Sequence, residues 1–385
     1  MSAESPAIRA LVPDAPTVSE AEERVSVATQ WELMWWRFRK HKLALLSAGV
    51  LILFYLSVLF ADFLAYADPL ASEAQRGLIG PQPVHLFDNG RFSPYVDGLV
   101  GTRDQQTFKR VYVVDPDQKV PVRLFVHGFE YKLLGLIPMD LHVLGVEGEG
   151  RTAENSLLLL GTDVQGRDQW SRLMYATQVS LLIGLTSVAL SLFLGVLLGG
   201  LAGYFGGLID TLVMRLVDIL RSIPQIPLWM GIGAALPKDW DIIKVFFVMT
   251  LIFALIQWTE LARVVRGRFL SLREEDFVMT AELAGCSRMR IIFRHMVPSF
   301  LSHIIAATTL AVPAIIIFET SLSFLGLGLR PPAISWGVML QQASNVQTLA
   351  ISPYLLYPAV PVVVAILAFN FLGDGLRDAA DPYGE

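Results

Sequence analysis

The chain has 385 residues, 54% of them hydrophobic and only 17% charged, with a mean hydropathy of +0.52 and a net charge of −5. Soluble domains carry about 25% charged residues, so the deficit points to lipid as the solvent, and no basic patch is dense enough for a nucleic-acid partner. Cys286 is the only cysteine, which excludes an intramolecular disulfide framework and a cysteine-clustered metal site. The six histidines show no metal-site spacing.

Residues 1–42 read as a cytoplasmic tail. Its first 30 residues are acidic, carry Pro6, Pro13 and Pro16, and lack periodicity. Trp31 to Lys42 mixes aromatics with bases, as a helix lying at the membrane surface does. The first membrane segment, 43–67, opens on an uncharged run from Leu43 to Ala61, long enough to cross about 30 Å of hydrocarbon. Arg37, Arg39, Lys40 and Lys42 precede it and Asp62 and Asp68 follow, an asymmetry that puts the start of the chain in the cytoplasm. Ala65-Tyr66-Ala67 resembles a signal-peptide cleavage site, but the polar leader and the apolar run are both too long for one.

Residues 68–172 are too rich in charge for lipid and are expected outside the membrane as a partly β insertion, with strands at Arg110 to Asp115 and Val120 to Leu134. Residues 173–375 carry the remaining spans. An uncharged stretch from Leu173 to Ile209 holds Ser187, Ser191, Gly195, Gly199 and Gly203, a small residue at every fourth position. On a helix that spacing makes a ridge where a second backbone can approach closely. A third span is expected from Leu212 to Leu236, a fourth from Ile242 to Arg263, a fifth from Ser299 to Leu325 and a sixth from Ile351 to Leu372. The basic loop 264–298 then falls in the cytoplasm, in keeping with its arginines, as does the tail 376–385. The fold class is an all-α membrane protein with six transmembrane helices.

No GxxxxGK[ST], HExxH or GxSxG occurs and Gly is nowhere followed by Lys, so no catalytic site and no phosphate loop are expected in this chain. Ionisable or polar groups inside a membrane are expensive and therefore informative. Arg215, Asp218 and Arg221 are spaced to pair along one helix, Glu319 needs a partner on a neighbouring helix or a place in a pathway, and Asn370 is a further intramembrane candidate. In the basic loop, Phe277, Ala281 and Ala284 are expected on one helical face, with Gly285 as a stop and Pro298 beyond. That is a short helix shaped to dock into a groove on a partner.

That loop resembles the EAA motif of importer permeases: Ala281, Gly285 and Pro298 match, while Met279 and Thr280 replace Glu and Ala, and His295 and Val297 replace Ile and Leu. Other segments are similar to the dipeptide/oligopeptide/nickel branch of that family, in its second-permease type. They are Gly161-Thr-Asp163 to Gly166-Arg-Asp168, Ala202 to Gly207 with Asp210, Met214 to Asp218, Glu319 to Gly328, Pro331-Pro332 with Ser335 to Gly337, and Phe369 to Asp378 with Asp381-Pro382. Together with the stretch from Trp31 to Leu46, the likeness covers about residues 31–67 and 160–382 and says nothing of 69–159.

The resemblance implies the type I importer permease fold in a bacterial inner membrane, with both termini cytoplasmic, moving peptides or a related solute inward by alternating access. It implies a second permease subunit, one or two ATP-binding subunits that hold ATP and Mg, and a periplasmic solute-binding protein. Phe277, Thr280, Ala281, Glu282, Ala284, Gly285, Arg290 and Pro298 would then form the coupling element against the ATPase. The rival reading is a secondary transporter or channel that works without ATPase subunits; it would need a coupling-ion site, typically within inverted repeats, and no internal repeat is evident.

Overall fold

The computed structural model describes residues 30–88, 90–103, 110–146, 157–237, 240 and 242–380. Expectations for residues 1–29, for the family ending at Asp381-Pro382 and for the last tail residues lie outside that set. A short helix α1 (Gln30–Lys40) carries exposed Trp31, Trp35 and Trp36 and leads into α2 (Lys42–Leu59), which His41 caps by accepting the Ala44 amide through Nδ1 at 3.1 Å. One further turn, α3 (Ala61–Leu64), ends the first apolar segment.

The polar insertion is a four-stranded antiparallel meander, β1 (Val84–Asp88), β2 (Arg91–Arg103), β3 (Arg110–Leu133) and β4 (Ile137–Val146). The two strands expected around 110–134 are one continuous 24-residue strand. Its first part pairs with β2 (Tyr95 opposite Pro121, Leu99 opposite Val114) and its second with β4 (Val122 opposite Val146, Leu133 opposite Ile137), so one strand serves two neighbours in turn. The sheet is rooted on the C-terminal end of the first apolar segment. Phe125 stacks on Phe63 of α3 at 6.3 Å, and His142 Nδ1 lies 3.1 Å from the Asp62 carbonyl.

Beyond the sheet come α4 (Gln169–Phe205), α5 (Gly207–Ser222), α6 (Gln225–Ala235), α7 (Ile242–Leu272), α8 (Asp276–Leu283), α9 (Leu301–Phe324), α10 (Trp336–Gln342), α11 (Val346–Ile351) and α12 (Ala359–Ala380). A helical stretch with a π-helical turn at Ile291–Met296 joins α8 to α9. Among the described residues, five stretches are long and apolar enough to cross a membrane: Lys42–Leu59, Gln169–Phe205, Ile242–Leu272, His303–Phe324 and Pro353–Ala380.

The expected third span, 212–236, is not a single helix. It is divided into α5 and α6 at Ile223-Pro224, because the proline forces the residue before it out of the helical region, and Ile223 has φ −85° and ψ 127°. Directions settle what the broken pair does. Contacts Ser187–Thr250, Gly195–Leu261 and Gly203–Phe269 rise together along both chains, so α4 and α7 run parallel, and α5 with α6 must return the chain between them. The sixth helix also starts later than expected, at Ala359, after a 3-10 turn at Pro353–Leu356.

The ridge of small residues faces α7. Ser187 Oγ donates to the Thr250 carbonyl at 3.3 Å, and a Cβ on Gly195 would meet the Leu261 side chain at 2.9 Å. A Cβ on Gly199 would strike the Ala262 carbonyl, and one on Gly203 the Arg266 carbonyl at 2.8 Å. Helix α12 packs between α2 and α9, and Phe38 of α1 and Ala44 bury against Ala379 near the C-terminal end. Gly199→Leu is therefore expected to force α4 and α7 apart and lower the melting temperature in detergent by several degrees, whereas Gly49→Leu, with open space at its Cβ, should leave it unchanged. Equal melting of both variants would mean that the ridge does not hold the helices together.

Candidate functional site

At the end of the bundle where α4 and α7 finish, α8 sits on a small core of its own. Val278 and Ala281 are buried against Val265, Phe269, Ile291, Ile292 and Met296, and Tyr204 of α4 donates its hydroxyl to Glu282 Oε1 at 2.6 Å. The helix stops at Gly285, with φ +75°, where the Cys286 amide donates to the Ala281 carbonyl and the Gly285 amide to the Glu282 carbonyl. That is the double hydrogen bond of a left-handed helix stop, which a β-branched residue resists.

The expected grouping of Phe277, Ala281 and Ala284 on one face is corrected. Ala281 turns inward with Val278, while Phe277, Thr280, Glu282, Ala284 and Gly285 are exposed and Leu283 is 90% exposed. The inward pair is three residues apart and completes the core over Phe269; the helix is apolar on both sides, so periodicity alone does not separate them. Met289, Arg290, Phe293 and Pro298 extend the same exposed surface.

Two of the charges expected to pair along α5 find their partners on another helix. Asp218 and Arg221 do not pair along α5. They cross to α7, with Arg263 Nη2 donating to Asp218 Oδ1 at 2.8 Å and Arg221 Nη1 lying 3.4 Å from Glu260. Arg266 and Asp210 form a two-pronged pair further along, and Arg215 is exposed. Because α5 and α7 run antiparallel, Asp218 and Arg221, three apart on α5, meet Arg263 and Glu260, three apart on α7.

Glu319 is fully buried and accepts from Ser180 Oγ of α4 at 3.1 Å and from Ser323 Oγ at 2.9 Å. Ser180 Oγ in turn accepts the Trp336 amide of α10 at 3.2 Å, so one carboxyl gathers α4, α9 and α10. Asn370 is half-buried on α12.

A second cluster, at the opposite end of the bundle, is not evident from residue spacing. Asp163 is completely buried and accepts Arg167 Nε and Nη2, each at 2.7 Å, together with Gln342 Nε2 at 3.2 Å and the amides of Gln165 and Arg167. Arg172, 1% exposed, lies 3.7 Å from the same carboxylate. Asp168 caps α4 by accepting the Ser171 amide at 2.7 Å and accepts the Tyr66 hydroxyl at 2.8 Å. Burial pushes its carboxyl up to about 6, against hydrogen bonds that pull it down. A signal is present in the run Gly161-Thr-Asp to Gly166-Arg-Asp, whose two glycines have φ +78° and +77°, but the partner Gln342 lies far off in sequence. Asp163→Asn would leave two buried guanidinium groups without a carboxylate and is expected to destabilise this cap by about 3–5 kcal/mol, read as a fall in melting temperature. An unchanged melting temperature would show that the two arginines are neutralised elsewhere.

Residues 195–383 match the family described as binding-protein-dependent transport system inner membrane component, and residues 29–81 match the N-terminal transmembrane domain of oligopeptide transport permease C. Neither match reaches residues 82–194, which hold the sheet. The oligopeptide transport system permease protein of Haemophilus influenzae is 38% identical over 223 residues, covering 58% of this chain and 69% of that protein. A putative peptide transport system permease protein of Brucella suis is 42% identical over 224 residues, covering 58% and 73%. Among solved structures, an inward-facing methionine ABC transporter, MetNI, aligns with a TM-score of 0.42 and 18% identity over 54% of this chain and 96% of that chain.

Proposed function

The chain belongs to the family of binding-protein-dependent transport inner-membrane components, and from that premise we propose that it is the permease subunit of an ATP-driven importer for peptides or a related solute. It is a multi-pass membrane protein. In this reading a solute-binding protein delivers cargo to the side of the β-sheet and the Asp163 cap, and ATP with Mg is bound by separate subunits on the side of α8. A second permease completes the pathway. The peptide cargo is supported by the names of both relatives given above.

The single observation that carries the mechanism is the seating of α8. Its inward residues Val278 and Ala281 and the Tyr204–Glu282 bond clamp it to α4 and α7, while Leu283, Phe277 and Met279 remain exposed. A helix held rigidly to the two parallel spans on one side and bare on the other transmits a push from a docked ATPase straight into those spans. Alternating access then follows as a tilt of α4 and α7 together, because the glycine contacts leave them no room to move separately.

Two expected outcomes test the proposal. Leu283→Asp leaves the core of α8 untouched and should cut ATPase retention and solute uptake about ten-fold or more together, whereas Ala281→Glu should unseat α8 and destabilise the chain itself. Normal uptake and normal ATPase retention by Leu283→Asp would remove α8 from the coupling route, and uptake driven by an ion gradient without ATPase subunits would sustain the secondary-transporter reading. For sidedness, Ser93→Cys in a Cys286→Ser background should react with an impermeant thiol reagent on intact spheroplasts, since Ser93 is exposed on β2. Labelling only after lysis would reverse the assigned orientation.

A further inference from the structure

Between α4, α7 and α9 lies a cleft of about 360 Å³. Its walls are mostly small or apolar, with Ala307, Ala311 and Ala314 presented along α9 and Val188 on α4. Four polar residues line it, Ser191 of α4 with Gln257, Glu260 and Thr308. Gln257, half-way along the 31-residue α7, is partly exposed and makes no side-chain hydrogen bond among the described residues. The Thr308 hydroxyl of α9 is buried without a partner among the described residues. Glu260, one turn beyond Gln257, keeps a side chain 72% exposed and among the described residues is held only by Arg221 at 3.4 Å.

A partly exposed primary amide, Gln257, and an exposed carboxylate, Glu260, on one spanning helix are too expensive to leave against hydrocarbon, so the cleft does not face lipid tails. We propose that this cleft is one wall of the solute route and binds the backbone of an extended peptide, with Gln257 and Thr308 pairing to peptide amides and Glu260 receiving a cationic group. The proposal rests on the importer function above and names where its cargo is held.

The chemistry is specific to that ligand class. The Gln257 amide offers donors and an acceptor at one point, which complements the N–H and C=O of a peptide unit, and the Thr308 hydroxyl can donate or accept. Beside them the alanines of α9 leave room for side chains without offering any of them a polar partner, so the backbone is read there and uncharged side chains are not told apart. Glu260 supplies the one fixed charge on the cleft. Its pair with Arg221 is long and solvent-exposed, hence weak, and a peptide ammonium or lysine can replace the guanidinium with little loss.

The test uses the whole complex in proteoliposomes, with its binding protein and ATPase subunits, and reads peptide taken up per ATP hydrolysed. Gln257→Leu and Thr308→Val each remove one polar hold at nearly constant volume and are expected to lower that ratio about ten-fold. Glu260→Gln is expected to lower uptake of a lysine-bearing tripeptide about five-fold more than uptake of trialanine. Wild-type ratios in all three variants overturn the proposal. So do parallel falls of uptake and hydrolysis, which mark packing residues whose loss damages assembly. A wild-type complex that moves no peptide overturns the importer reading and the ligand together, whereas an active wild type with indifferent variants overturns the cleft alone.

Discussion

Lipid gives two helices no reason to meet, because hydrocarbon tails are as apolar as any side chain, and association must come from backbone approach and packing. The contact between α4 and α7 along Gly195, Gly199 and Gly203 supplies that approach, and much else follows from it. With no side chain on the α4 side of the contact, the two helices are held at one rotation about their axes. That rotation turns Arg263 and Arg266 of α7 toward the acidic face of α5 and turns Gln257 and Glu260 toward α9. It also sets Phe269 under Val278 and Ala281, so the seat of α8 is built by the same contact.

The charged and polar groups divide by depth according to what each can be offered. At one end, Asp163 is wrapped by two arginines, a glutamine amide and two backbone amides, enough to hold a carboxylate that water never reaches. At Glu319, serine hydroxyls from α4 and α9 surround a single carboxyl and tie the start of α10 to both. Between α5 and α7 the pairs of Arg221 with Glu260 and of Arg263 with Asp218 are exposed, which leaves them individually weak but free to exchange partners. Rigid polar knots thus brace the ends of the parallel helices, and the labile pairs line the broken return segment.

Much of this architecture is legible in the order of residues alone. Runs of uncharged residues locate five of the crossing helices to within a turn or two at most ends, because a span must be continuously apolar and about 20 residues long. The every-fourth-residue glycines announce a packing ridge, and Gly285 announces a helix stop. What periodicity does not supply is partnership. Asp218 and Arg221 look like a local set along one helix, yet they pair with Arg263 and Glu260, since local spacing and cross-helix spacing are the same when two helices run antiparallel. Ala281 looks like a docking residue because α8 is apolar on two sides, and only the position of Phe269 says which side is inward.

The sequence by itself determined that this chain lives in a membrane, where its long uncharged stretches lie, and that α8 stops at Gly285. Those properties are local: they depend on the transfer energy of successive residues and on backbone conformations that glycine and proline allow or forbid. The tertiary structure alone decided that residues 207–235 return as two helices joined at a proline, that Asp163 reaches Gln342 across the fold, and that Gln257 and Thr308 share a cleft with Glu260. These facts depend on how helices are rotated against one another, and that rotation is a property of contacts between residues far apart in the chain.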